Sequence, residues 1–205
     1  VHSSSDLPSR RDGVLIERQV IALNRFDDRI PVIYRQPINL PEDVAKWIAG
    51  WGGSSLFLTG AIGVGKTCTA WQTCRRWLQA QYAPGEPWQG TPTIQTWRST
   101  ALFDALRPDA GEGEGRTLLR QLQRCDLLFI DDLAAARASS WTQERLFELF
   151  DERYINRRPV IITSDVVPAK LTEVTGPRVA SRLAEMCRGS VVLLEGYDRR
   201  KGVAA

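Results

Sequence analysis

The sequence predicts an α/β fold built on a parallel sheet, and three observations lead there. Short apolar runs alternate with segments of helical periodicity through most of the 205 residues, the pattern of strands joined by helical crossovers. One run, residues 54–59, feeds directly into Gly60-Ala61-Ile62-Gly63-Val64-Gly65-Lys66-Thr67, which satisfies G-x-x-x-x-G-K-[ST] at every fixed position. A later run, residues 126–130, is apolar from Leu127 onward and ends in Asp131-Asp132, as suits a strand covered on both faces.

Taken in order, residues 1–37 are polar with mixed charges, such as Arg10-Arg11-Asp12 and Asp27-Asp28-Arg29, and are expected to form an irregular arm or linker ahead of a core over 38–205. Val44, Trp47, Ile48 and Trp51 follow i, i+3, i+4, i+7 and share a helix face, with Pro41 in the first turn and Gly52-Gly53 as the stop. After the glycine-rich turn, Ala70, Trp71, Cys74, Trp77 and Leu78 mark a second helix. Residues 82–92 read as a loop, 93–97 as a strand, 100–106 as a helix and 109–115 as a flexible glycine-acidic loop. Ser140-Trp141-Thr142-Gln143 fits a capping box opening a helix through Phe147 and Phe150 to Tyr154. A strand at 159–163, a helix carrying Val179, Leu183 and Met186, and a strand at 191–194 complete a five-stranded parallel sheet flanked by helices.

Composition narrows the functional classes. With 43% hydrophobic and 25% charged residues, the chain has the make-up of a soluble domain. No run reaches the roughly 18 apolar residues of a membrane span. No apolar signal core follows Val1-His2-Ser3, so a cytoplasmic protein without a membrane partner is expected. Cys68, Cys74, Cys125 and Cys187 lack C-x-x-C spacing and His2 is the single histidine, which argues against a zinc site. Of 27 basic residues only Lys46, Lys66, Lys170 and Lys201 are lysine, so a lysine inside the glycine-rich turn stands out.

The chemistry gathers around that turn. Its glycines let the backbone curl so that N–H groups along Gly60, Gly63, Val64, Gly65, Lys66, Thr67 and Cys68 face phosphate oxygens, at a helix N-terminus that favours anions. Lys66 is placed to bridge β- and γ-phosphates, and the Thr67 hydroxyl to hold Mg²⁺. Asp131 is the second expected Mg²⁺ ligand and Asp132 the group that orients or deprotonates the attacking water. Thr163-Ser164-Asp165 ends the fourth strand, where Ser164 or Asp165 either reaches the γ-phosphate or caps the next helix. Arg178 and Arg182, four apart, project from one helical stripe and suit either surface ion pairing or stabilisation of a transferring phosphoryl group from a neighbouring copy.

In this order the motifs resemble the DnaC/DnaI/IstB group of AAA+ ATPases, helicase loaders and transposition regulators related to the initiator DnaA. The resemblance is carried by 60–67, Leu128-Phe129-Ile130-Asp131-Asp132-Leu133, Arg153-Tyr154, Pro159-Val160-Ile161-Ile162-Thr163-Ser164 and Arg178-Val179-Ala180-Ser181-Arg182-Leu183. Ile30-Pro31-Val32-Ile33-Tyr34-Arg35 is similar to the segment before that group's core, and Gly196-Tyr197-Asp198-Arg199 to its closing signature, with Asp198 intruding. The resemblance implies an ASCE-type P-loop core without a large C-terminal lid, ATP as the nucleotide, and self-assembly into an open ring or spiral. It also implies single-stranded DNA and a hexameric replicative helicase as partners. By position Arg178 becomes the trans-acting finger, with Arg182 second and Arg199 a weaker sensor, and 99–107, flanked by Arg98 and Arg107, the stretch that faces DNA. Two departures stand out. Asp165 occupies a position where loaders often carry Asn, and a carboxylate only accepts hydrogen bonds, which favours Ser164 as the contact. Residues 1–37 are too short for a loader's helicase-binding domain and are read as its possible remnant. An IstB-like regulator, forming an ATP-dependent filament on DNA, is the alternative. A small-molecule kinase fits less well, because 109–115 makes a poor lid.

Overall fold

A computed structural model describes residues 10–50, 54–82, 90–107, 113–135, 138–196 and 198. Its strands are β1 (Leu56–Gly60), β2 (Ile94–Arg98), β3 (Leu127–Asp131), β4 (Val160–Ser164) and β5 (Val191–Leu194). Its helices are α1 (Arg10–Asp27), α2 (Glu42–Gly50), α3 (Lys66–Ala80), α4 (Ser99–Ala105), α5 (Glu114–Arg124), α6 (Ser140–Ile155), α7 (Thr172–Thr175) and α8 (Pro177–Met186). All strand pairs are parallel, in the order β2-β3-β4-β1-β5. This is the expected five-stranded parallel sheet flanked by helices, with no lid domain among the described residues. No described helix is long and apolar enough to cross a membrane.

The continuous apolar text of the central strands follows from burial on both faces. Along β3, Leu128 and Ile130 enter one core with Leu146, Leu149, Leu183 and Phe150, whereas Leu127 and Phe129 enter another with Trp71, Leu78 and Leu58. Helices α4 to α8 therefore cover one face and α1 to α3 the other. The edge strand β5 alternates instead, with Val192 and Leu194 buried and Val191 and Leu193 exposed.

Three expectations about elements are corrected. Residues 10–27 form a helix, not an irregular arm: Ala22 and Phe26, four apart, join Ile30 in the second core, with Phe26 5.9 Å from Trp71 between ring centroids. Arg75 holds the end of α1 through a two-pronged bond to Asp27 at 2.7 and 3.0 Å, which raises the Arg75 pKa. Charge masked this helix in the text, and Val14, Ile16, Val20 and Ile21 lie exposed on its flanks, so no single apolar stripe shows. Helix α5 went unread because its buried set is only Leu119 and Leu122 among polar residues. Of the loop expected at 109–115, Gly113 caps α5 at φ 84° and Glu114 and Gly115 belong to the helix; 108–112 lie outside the described residues, as do Trp51, Gly52, Gly53 and 83–89. Finally, the cap of α6 is Ser139, whose hydroxyl accepts from the Thr142 N–H at 3.2 Å, one residue before the expected box.

Arg153 on α6 is fully buried without a carboxylate partner among the described residues. Its guanidinium donates to the carbonyls of Leu122 (2.5 Å), Cys125 (2.9 Å) and Pro159 (2.6 Å). It thus ties α5 and the entrances of β3 and β4 to α6. Burial lowers its pKa, the cost of placing a cation where carbonyl dipoles and the Cys125 sulfur, 3.2 Å away, answer it.

Candidate functional site

Strand order determines which side chains meet. Because β4 lies between β1 and β3, the carboxyl ends of three strands converge where ligands of open α/β sheets gather. β1 ends at Gly60 (φ 146°), where an added Cβ would lie 2.3 Å from the Leu194 carbonyl oxygen, so only glycine lets the turn pass this close to β5. The turn closes at Gly65 (φ 101°), the N-cap of α3, which offers no side chain to the helix's first N–H groups. Those groups, which no helix satisfies internally, make this end of α3 one that favours an anion. Lys66 folds over the turn, its Nζ donating to the carbonyls of Gly60 (2.8 Å) and Ala61 (2.9 Å). Val64 is buried beneath the turn, and Cys68 is half-buried in the first turn of α3.

The acidic edge faces this turn. The Thr67 Oγ1 donates to Asp131 Oδ1 at 2.9 Å, linking α3 to the tip of β3. Thr163, the fourth residue of β4, donates to the same Asp131 oxygen at 2.7 Å and accepts the Asp132 N–H at 2.8 Å. Asp132 is exposed and holds a left-handed backbone with φ 55°, a conformation uncommon for a residue with a Cβ. A hydroxyl and a carboxylate in contact form the hard-oxygen pair that suits Mg²⁺ completed by phosphate and water. Among the described residues no group of three or more His, Cys, Asp or Glu could hold a metal by itself.

Known proteins agree with this geometry. Residues 100–187 match Bac_DnaA, the bacterial DnaA ATPase domain. The chain is 26% identical over 148 residues to the phage-like element PBSX protein XkdC of Bacillus subtilis, covering 70% of this chain and 51% of that protein. It is 32% identical over 116 residues to the insertion sequence IS1162 putative ATP-binding protein of Pseudomonas fluorescens, covering 55% of this chain and 44% of the relative. The crystal structure of the DnaC helicase loader superposes with a TM-score of 0.61 at 21% identity, over 78% of this chain and 93% of that one. In sequence and fold the chain is similar to DnaC/DnaI/IstB-like AAA+ proteins. It spans about half the length of XkdC and less of the IS1162 protein.

The remaining expected residues divide. Ser164 is buried, and its hydroxyl accepts the Val166 N–H at 3.2 Å, closing a local turn. Asp165 is exposed beyond the strand end. Of the three polar residues at this strand end, Thr163 is the one whose hydroxyl bonds Asp131 and the Asp132 N–H, as the frame of β4 against β3 allows. Arg182 is committed within its own chain, bonded to Asp151 (2.6 Å) and Glu185 (2.8 Å) and stacked 4.3 Å from the Tyr154 ring centroid. Arg178 is exposed, has no ion pair among the described residues, and rests 4.0 Å over the Phe147 ring. Arg199 lies outside the described residues. Asp198, noted in the sequence only as an intrusion, lies against the phosphate turn: a Cβ on Gly63 (φ 87°) would fall 1.9 Å from its Oδ1. Of the arginines beside 99–107, Arg98 is exposed and Arg107 pairs with Asp104 at 3.1 Å.

Proposed function

We propose that this AAA+ chain binds and hydrolyses ATP with Mg²⁺ and acts as a loader of a hexameric replicative helicase in DNA replication, assembling with ATP into an open ring or spiral and binding single-stranded DNA. The observation that carries the nucleotide chemistry is the meeting of Thr67 and Thr163 on one Asp131 oxygen, at 2.9 and 2.7 Å, beside the glycine-rich turn. The turn at 60–67 and the N-terminus of α3 bind the phosphates, and Lys66 moves from the Gly60 and Ala61 carbonyls to their oxygens. Thr67 and Asp131 would hold Mg²⁺, which would supply positive charge against the phosphates. Asp132, exposed at the edge, orients water for in-line attack and takes its proton. Arg178 is the arginine offered to a neighbouring copy, because Arg182 is occupied by Asp151 and Glu185. Helicase loading is supported by the shared fold of the DnaC helicase loader across 93% of that chain.

A second reading has its own support, since the 32% identical relative belongs to an insertion sequence. There the chain is a transposition regulator that assembles with ATP on duplex DNA. The two are separated by capturing the replicative helicase of the source cell on the immobilised full-length protein, with and without ATP. ATP-modulated capture is the result expected of a loader. No capture, with ATP-dependent clustering on duplex DNA, would replace it with the regulator.

A further inference from the structure

The left-handed backbone of Asp132 is held from both sides. Its N–H is bound by Thr163 Oγ1 at 2.8 Å, from β4. Its carbonyl accepts the Ser99 hydroxyl at 2.5 Å, from the opposite neighbour, and the Ala135 N–H at 2.9 Å. Register explains the meeting: Arg98 pairs with Asp131 across β2 and β3, so the next residue of each strand, Ser99 and Asp132, face one another beyond the ladder. Ser99 is 1% exposed and opens α4. That helix is anchored in turn by buried Leu102 and Phe103 and by the Trp141 Nε1 bond to the Leu106 carbonyl at 2.8 Å. A non-glycine residue keeps a positive φ only where its surroundings over-determine it, and here two strand tips supply the restraint.

We propose that Ser99 is a positioning residue for hydrolysis, fixing the direction of the Asp132 carboxylate through the main chain. This rests on the reading of Asp132 as the water-orienting group. Ser99, 1% exposed, acts through its bond to the Asp132 carbonyl. Its hydroxyl sets the plane of the peptide after Asp132, and the seat of α4 thereby enters the geometry of attack. Nucleotide binding, which belongs to the turn at 60–67, does not depend on it. Misplacement of a catalytic group by about 1 Å costs up to a hundredfold in rate, and with the Thr163 and Ala135 bonds still in place a loss of about tenfold is expected.

The test compares wild type, Ser99→Ala, Ser99→Thr and the control Lys66→Ala in steady-state ATP turnover, fluorescent-ATP binding and thermal melting. Ser99→Ala leaves the Asp132 carbonyl bonded to Ala135, so the melting temperature falls by no more than about 2–4 °C, the effect of one lost hydrogen bond of roughly 1 kcal/mol. Its kcat falls about tenfold while KM and nucleotide affinity stay within about twofold, a split that marks loss of transition-state geometry. Ser99→Thr, which keeps the hydroxyl, recovers most of kcat. Turnover of Ser99→Ala within about twofold of wild type, with Lys66→Ala inactive, overturns the proposal and leaves the ATPase reading intact. Equal loss of turnover and nucleotide affinity overturns it in favour of a general structural role. Absence of wild-type turnover removes the role of Asp132, and the proposal falls with it.

Discussion

Replacing Thr163 by valine keeps the shape of the side chain and deletes one oxygen that makes two bonds. The hydroxyl donates to Asp131 at 2.7 Å and accepts from the Asp132 N–H at 2.8 Å, at a residue only 1% exposed. A hydrogen bond to a carboxylate contributes roughly 1.5–3 kcal/mol, and a buried N–H left unpaired costs roughly 1–3 kcal/mol. The Thr67 bond still serves Asp131, and the added methyl returns part of the loss through apolar burial. A net destabilisation of about 2–3 kcal/mol is expected. For a chain of this size that corresponds to a fall of roughly 5–10 °C in melting temperature. Circular dichroism melts in matched buffer measure it, and turnover in the same preparation should fall at least tenfold as both aspartates lose their common support. A melting temperature within about 1 °C of wild type, together with unchanged turnover, would refute the bridging role.

Further outcomes follow from other buried and exposed groups. Arg153→Ala removes the guanidinium bonds to three carbonyls and leaves a cavity at the entrance of β3 and β4; urea denaturation should show a loss of about 3–5 kcal/mol. A thiol reagent at neutral pH should modify only Cys68 in the folded protein and all four cysteines after denaturation, since Cys74, Cys125 and Cys187 are buried. Burial pushes the Cys187 thiol from 9.0 up to about 12. A raised folded pKa means its contribution is present at neutral pH and declines as pH climbs from about 9 towards 12, and Cys187→Ala should flatten that decline in a stability–pH series. Arg178→Ala should keep nucleotide affinity while turnover collapses, Arg182→Ala should lose stability first, and mixing Arg178→Ala with Asp132→Asn should restore turnover at mixed interfaces. No recovery at any mixing ratio would contradict a trans arginine.

Much of this was legible in the text because the decisive signals are local. The turn at 60–67 carries its glycines, lysine and threonine in one stretch, and the buried central strands read as unbroken apolar runs. What escaped depends on contacts between distant segments. Phe26 and Ile30 are core residues only because Trp71 lies across from them, and nothing in the charged stretch 10–29 announces that. Helix α5 buries two leucines, too narrow a stripe against its arginines and glutamines. That Thr163 bonds the acidic pair is a matter of strand frame, which propensity does not set. The role of Ser99 requires the β2–β3 register.

The central claim is that the turn at 60–67 and the Asp131-Asp132 edge form one site for MgATP. Its most direct test is ATP turnover against Mg²⁺ concentration for wild type, Lys66→Ala and Asp132→Asn. Mg²⁺-dependent turnover in wild type, absent from Lys66→Ala and strongly reduced in Asp132→Asn with binding retained, is the predicted result. Normal turnover in Lys66→Ala would contradict it.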